Sequence, residues 1–582
     1  MSKITLLALI TLCTNGLLTA QTIAAARLGQ WDNVGAMTQN LSNNTIEILD
    51  WGVQNDGTAD ASVNIQNAIN SLAGQAGTLH FPSGNYLLEH TIRLPSNVSI
   101  QGEGISTVLV LNSEENGITI EGQGESTYYT ITQNAAIGAN YILQPTIAAT
   151  STPNSFLELR QQNGAWDIVP VSWASYSIGQ ILTIASISGD TIFLKEPLAA
   201  EYFSSLSAEI RTVQPAENIG IECIKIKRNN TPANAANNIY INLAHNCWIK
   251  NIESNRSMAS HISAFNSKNI SVTNSFIHNG YIFDGTGTRG YGVTFAHHTS
   301  KCLIENNVFD TLRHAMILKQ GAHNNIIAYN YSKTTLRSEF PANGSADISL
   351  HGHYPYNNLI EGNIVQTIWA DDAWGTNGPN NTIFRNRVQL YGILCTNPET
   401  SGMNVVGNEV TNGTFFMGNI SLQGTNHFLY GNNRLGNIEP AGTTSLAQQS
   451  LYLTQAPNFW STSNFNSIGI GNTYNTGTIP AKERSISGTI VSCIALDTNT
   501  VGIANTDLEH WQIIQNAAYS TLQIINTSKL PTSMKIIDIT GKIMYTKQGI
   551  IANELTIDTY DWQAGMYYII SDVKTKKILL IK

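Results

Sequence analysis

Between residues 248 and 434 one short phrase keeps returning: an apolar, mostly β-branched pair, then Asn, then another apolar residue. It closes at Asn251, Asn274, Asn306, Asn330, Asn363, Asn386, Asn408 and Asn432, at spacings of 23, 32, 24, 33, 23, 22 and 24 residues. A period near 23 with short alternating strands between turn signals describes a solenoid, a stack of coils that each contact only their neighbours. The two spacings near 32 mark coils enlarged by roughly nine residues. Asn suits the corner of such a coil because it tolerates a left-handed backbone and can hydrogen-bond to its equivalent one coil away. The Asn series is therefore expected to be structural, and the fold an all-β parallel β-helix.

Composition agrees with that architecture. At 582 residues the chain exceeds one compact core, and only 12% of it is charged, against roughly 25% in an average soluble protein. The net charge of -9 is spread along the chain without a Lys/Arg block, so nucleic acid is not the expected partner. An anionic substrate would have to be met by local Arg or Lys. Residues 1–20 run from Lys3 through an apolar stretch to small residues near Ala20, the pattern of a cleavable signal peptide. No later segment holds about 18 uninterrupted apolar residues, so no membrane span is expected. The remaining cysteines, Cys223, Cys247, Cys302, Cys395 and Cys493, are odd in number and lack metal-ligand spacing. They are expected to be buried fillers rather than disulfides or ligands.

Upstream of the repeat, one stretch carries Asp50, Gly52, Asp56, Gly57, Asp60, Ile65, Gln66, Ala68 and Ile69, then Gly77, Thr78, Phe81, Pro82, Gly84, Tyr86, Gly102 and Gly104. This pattern resembles the N-terminal part of the pectate lyase-like superfamily. The resemblance implies a right-handed parallel β-helix over residues 21–510. Within it an amphipathic helix, Ser62 to Leu72, would cover the open end, where a bare coil would expose a strand edge. It is specific for fold and not for chemistry, since the superfamily holds lyases, hydrolases, epimerases and phage tailspikes. Residues 124–215 break the coils with turn signals of their own and read as a small inserted β subdomain walling a cleft. Residues 511–582 change character again. Asn516 to Ala518, Leu522, Gly541, Lys542, Ile557, Asp558, Gly565, Tyr567 and the basic end Lys576, Lys577 and Lys582 resemble the C-terminal sorting domain of the type IX secretion system, a small β-sandwich. That resemblance implies the type IX machinery as partner, and a protein that is secreted or held at the cell surface. A monomer is expected.

The enlarged coils carry insertions at residues 280–292 and 336–355, where binding loops on a rigid scaffold tend to lie. Counting back sixteen residues from Asn330 and Asn363 gives His314 and Asp347. Fifteen and fourteen before Asn386 are Asp371 and Asp372, and seventeen before Asn306 is Arg289. Rungs of a parallel stack are about 4.8 Å apart, so these side chains should climb one face, with Arg313, His351, His353, Trp374 and Asn377 beside them to bind substrate. Titratable groups next to an aromatic platform suit cleavage of a polysaccharide. Three readings stay open. The first is a glycoside hydrolase with Asp347 and Asp372 or Asp371 as its carboxyl pair, His314 assisting, Arg289 binding and Trp374 stacking, without metal or cofactor. The second is a lyase acting by β-elimination on a uronate, with His314 or an Arg or Lys as base and Ca²⁺ held by the Asp residues. The third is a glycan-binding surface protein without catalysis. Deleting residues 511–582 is expected to leave a folded β-helix made in a heterologous cytoplasm but to abolish export in the native host. Unfolding of the truncated chain would instead make the tail a cap of the solenoid.

Overall fold

The computed structural model describes residues 22–285, 287–337, 345–414, 416–460, 467–488, 491 and 493, together with the strands and part of the turns of 511–580. The expected signal peptide lies outside the described residues. Strands dominate, and most pair in parallel. One face is a sheet in which Ala244–Lys250, Lys268–Thr273, Leu303–Glu305, Ile326–Ala328, Leu359–Glu361, Thr382–Phe384 and Asn404–Val406 follow one another in chain order. The other two faces belong to a 21-stranded sheet that resolves into two ladders. In one, Val308–Leu312 pairs with Tyr331–Thr335. In the other, His314–Leu318 pairs with Ile348–Leu350. The chain thus forms a three-faced parallel β-helix, with side chains of alternating direction sorted between core and surface.

Identical register on every rung builds the core. Val272, Ile304, Ile327, Ile360, Ile383 and Val405 stack in one line, and Val293, Met316, Ile348, Ile368 and Ile393 in another, all buried. Burying each such side chain contributes about 1.5–3 kcal/mol. Ser62–Ser71 forms the expected helix and turns Ile65, Ala68 and Ile69 into the same core.

The Asn series divides into two adjacent corner positions. Asn251, Asn274 and Asn306 occupy the first, with φ of 55°, 53° and 55°. Later coils fill that place with Tyr329, Gly362, Arg385 and Gly407, also at positive φ. The second position belongs to Asn307, Asn330, Asn363, Asn386, Asn408 and Asn432, whose side-chain amides donate from each to the next at 2.9–3.0 Å. The phrase therefore slips by one residue between Asn306 and Asn330, and one asparagine of the ladder, Asn307, lies outside the repeated phrase.

Ile100 pairs with Ile221 and Ile118 with Ile239, so the coils continue across the intervening chain as though it were absent. That chain folds as a seven-stranded antiparallel sheet from Gln123–Gly124 to Glu209–Gln214 with its own core around Leu157, Leu182, Ile184 and Ile210. Polar side-chain pairs seat it on the solenoid: Lys268 meets Glu196, and His298 reaches Glu158 at 3.2 Å.

Two straps run along the outside of the first sheet. Residues 22–38 follow it through Arg27 to Asn404 (2.8 Å), the Trp31 indole N–H to the Asn357 carbonyl (2.8 Å) and the Met37 amide to Asn246 (2.7 Å). The returning chain is gripped by buried Arg385, which donates to the carbonyls of Leu446, Gln448, Ile468 and Ile470. It then reaches Cys493, which is disulfide-bonded to Cys223. This corrects the expectation that all five cysteines are unbridged fillers. The partners are 270 residues apart in sequence and only the strap brings their Cα atoms to 5.6 Å. Cys247, Cys302 and Cys395 are buried free thiols as expected.

The second unit, Asp497–Lys582, has a three-stranded and a four-stranded antiparallel sheet around Leu522, Ile524, Ile536, Ile557 and Ile569. The Asn ladder generates a prediction for the first unit. Asn408 is fully buried, donates to the Ile383 carbonyl at 2.8 Å and accepts from the Asn386 amide at 2.9 Å. Asn408→Ala should lose about 1–3 kcal/mol by stranding those groups, read as a lowered thermal midpoint with pocket chemistry intact.

Candidate active site

The corner between the two ladders of the large sheet is tight on an ordinary coil. Arg313 alone joins Val308–Leu312 to His314–Leu318. One coil earlier the same link, between Phe276–Gly280 and Tyr291–Ala296, is ten residues long. Beside this loop the strand ends create a row. Met316 and Leu318 face the core, so Lys319 starts the outward series at the strand's end. Backbone pairing puts Lys319, His351 and Asp371 on consecutive rungs, the His351 amide donating to the Leu318 carbonyl at 2.9 Å and the Asp371 amide to the Leu350 carbonyl at 3.0 Å. Next to His351 the chain turns at Gly352, whose φ is +71°, and a Cβ there would lie 2.5 Å from the Trp374 carbonyl. Only glycine lets the Trp374 turn close in.

These elements enclose a cavity of about 560 Å³ lined by Tyr291, Arg313, Lys319, His351 and Trp374, by Thr288 of the loop and by Trp173 of the inserted subdomain. His351 is fixed from behind. Its Nδ1 lies 2.6 Å from Asp371 Oδ2, which also accepts from the Ser349 hydroxyl at 2.8 Å, while Asp371 Oδ1 accepts the Ala373 amide at 3.1 Å. Burial acts to raise the Asp371 carboxyl, but His351, by charge and hydrogen bond, and Ser349 outweigh it and hold the group below its ordinary value. When the ring carries a single proton, the Asp371 carboxylate 2.6 Å away holds that proton on Nδ1, which leaves Nε2 as a lone-pair nitrogen. Burial brings Lys319 down to about 8. It also raises the Tyr291 hydroxyl. The Arg313 guanidinium lies 5.8 Å from the Tyr291 ring centre, and its Nη1 is buried without a hydrogen-bond partner among the described residues.

The counted-back cluster is not what the structure assembles. Asp347 is wholly buried: Ser332 and Thr335 donate to one carboxyl oxygen, and the amides of Gln366 and Thr367 to the other at 2.9 and 2.7 Å. It braces the corner from inside, and this removes it from the expected exposed pair. His314 is also buried, bonds the Ala346 carbonyl at 2.9 Å and is pushed down to about 3 by burial, so it stays neutral. Asp372 is exposed and accepts from Thr396 at 3.2 Å, outside the cavity lining. Arg289 is half-buried at the end of the loop and not among the lining residues. His353 lies beneath Trp374 with its ring centres 6.1 Å apart, and Asn377 is a buried clamp that donates to the Asp371 carbonyl at 3.1 Å and accepts the Gly352 amide. Of the expected residues, the cavity gathers His351, Arg313 and Trp374, with Asp371 immediately behind.

The count failed because the Asn corners are constant while the turns ahead of them are not. Leu318 matches Leu350, 32 residues on, yet Ile326 matches Leu359, 33 residues on. The next turn differs by three, since Leu350 matches Ala370 while Leu359 matches Thr382. Asp347 is therefore level with Ala315, and Asp371 is level with His351. Lys319, Tyr291, Ser349 and Trp173 were missed. Alternation from Met316 and Leu318 could have found Lys319, whereas nothing near Trp173 in sequence points to this cavity. Calcium finds no fit here, because both Asp347 oxygens and both Asp371 oxygens are already engaged by donors, and no group of three or more metal-binding side chains occurs among the described residues.

Residues 45–162 match the family model for rhamnogalacturonase A/epimerase, pectate lyase-like, and residues 516–581 match that of the secretion system C-terminal sorting domain. No curated protein matches the chain. Among solved structures it is similar to the tailspike protein gp49 of Pseudomonas phage LKA1, at 14% identity and a TM-score of 0.49, over 63% of this chain and 64% of that one. The A-module of the mannuronan C-5 epimerase AlgE4 of Azotobacter vinelandii aligns at 13% identity and TM-score 0.35, over 67% and 96%. The surface protein and adhesin PfbA of Streptococcus pneumoniae aligns at 14% and 0.30, over 66% and 97%. These likenesses concern the fold alone. The chain carries a pectate lyase-like parallel β-helix followed by a secretion sorting domain. It is a secreted or cell-surface-attached protein.

The burial of Asp347 makes a distinguishing prediction. Asp347→Asn turns an amide against two backbone N–H donors and should cost about 1–3 kcal/mol of stability while leaving turnover nearly unchanged. A loss of about 10²-fold in turnover at an unaltered thermal midpoint would return Asp347 to the chemistry.

Proposed function

We propose that this cavity performs β-elimination on a uronate-containing polysaccharide outside the cell, with His351 as the base. The observation that carries the reading is the Asp371–His351 pair, which holds an imidazole lone pair in a cavity also furnished with Arg313 and Lys319. Glycoside hydrolysis by two carboxyls needs them across the bond, about 5–5.5 Å apart for retention or about 6.5–9.5 Å for inversion. No carboxylate is among the described lining residues, and Asp371, immediately behind, is engaged by His351. The arrangement favours proton abstraction over hydrolysis. The match of residues 45–162 to a polysaccharide-processing family and the secretion tail support the same substrate class.

In this reading Arg313 and Lys319 neutralise the uronate carboxylate, which makes the adjacent C5 proton acidic. His351 Nε2 takes that proton, the C5–H electrons form a C4=C5 double bond, and the C4–O bond breaks. The Tyr291 hydroxyl, kept protonated by burial, donates to the departing glycosidic oxygen. Asp371 stabilises the imidazolium that results.

Digestion of a panel of uronate polysaccharides should yield fragments whose unsaturated ends absorb in the ultraviolet. Saturated ends at every cleavage would mean hydrolysis, and binding without cleavage would favour an adhesin. His351→Asn and Asp371→Asn should each lower turnover by roughly 10²-fold or more. The lysine gives a pH signature. Because burial lowers Lys319 to about 8, its ammonium is present below that pH and lost above it. KM should therefore rise as pH passes through 8, and the rise should vanish in Lys319→Arg, whose charge persists.

A further inference from the structure

We propose that Trp173, contributed by the inserted subdomain, is the specificity-determining residue of this cavity, forming with Trp374 an aromatic corner that takes the apolar face of the sugar next to the uronate. The inference rests on the elimination reading for the identity of the neighbouring sugar, but the corner itself stands on geometry.

Trp173 sits on the short turn Ser172–Ala174 and is 47% exposed, although a large aromatic ring gains by burial. Its ring meets Trp374 edge to face at 5.1 Å and His353 at 5.0 Å, so one indole presents an edge where the other presents a face. Both rings line the cavity that holds His351 and Arg313. The turn is held rather than loosely placed. Gln320, next to Lys319, donates to the Trp173 carbonyl at 3.4 Å, and Thr376, two residues after Trp374, donates to the Trp166 carbonyl at 2.9 Å. At Gly321 the two parts are in direct backbone contact: a Cβ there would lie 1.6 Å from the Ser177 carbonyl oxygen. The subdomain is thus registered against the same coils that carry Lys319 and Trp374. A solenoid face is nearly flat, and a flat face reads charge better than shape. The added wall turns the cationic end of the cavity into a site with an apolar neighbour, which suits an oligosaccharide of alternating character over an isolated uronate.

The test uses the full-length chain carrying His351→Asn, so that substrate is bound without turnover. Binding of uronate hexasaccharides and of single uronates is followed by calorimetry, alone and with Trp173→Ala or Trp173→Phe added. Trp173→Ala should weaken hexasaccharide binding by about ten-fold or more, as expected for losing one buried aromatic contact, while single uronates bind as before. Trp173→Phe should recover most of the loss, and in the His351-intact chain Trp173→Ala should raise KM with little change in kcat. Equal binding by Trp173→Ala and its parent would overturn the proposal while leaving the elimination reading standing. Failure of every uronate to bind the parent would instead overturn the elimination reading, and the corner would then be tested with neutral hexasaccharides by the same substitutions. A drop in thermal midpoint with unchanged binding would assign Trp173 to docking of the subdomain, against the proposal.

Discussion

Everything in the β-helix depends on register between neighbouring coils, and the buried amide ladder is what makes slippage expensive. Each asparagine from Asn307 to Asn408 donates to the next, and all six through Asn432 donate to a backbone carbonyl, so a coil displaced by one residue would strand several buried polar groups at once. Apolar stacking of Val, Ile and Met supplies most of the stabilisation but discriminates poorly, since one β-branched side chain packs on another in more than one alignment. The amides supply the discrimination. The straps add a second constraint from outside, through Arg385 and the Cys223–Cys493 bond.

Rigid register is also what positions the residues of the candidate site. Lys319, His351 and Asp371 come from consecutive coils, and their backbones align because the strands preceding them align. The link between the two ladders of the large sheet, one residue long at Arg313, can lengthen without disturbing that alignment, as residues 281–290 demonstrate. Catalytic variety can therefore be added at the corners while the core rows stay unchanged.

How legible was this in the chain? The coil period, the terminal helix, the interruption at 124–215 and the sorting tail all announce themselves through local pattern: period, alternation and turn residues. His351 was reachable because it lies within the insertion at residues 336–355, and Arg313 and Trp374 because they stand beside the counted residues His314 and Asp372. Asp347 was misjudged because a count from fixed corners assumes turns of fixed length, and a slip of one residue reverses the direction of a side chain in a strand. The cysteine pairing and Trp173 left no local trace.

The sequence by itself determined the solenoid, since its repeat reports an interaction between each residue and its equivalent about 23 positions on, and periodicity makes such an interaction visible. Only the tertiary structure decided the site. There the inserted subdomain folds back onto coils more than a hundred residues away, turns of unequal length set the rung on which each titratable side chain falls, and the return strap brings Cys493 to Cys223. None of these contacts recurs with a period, and contacts between distant, unrepeated segments leave no pattern in a single chain from which they can be counted.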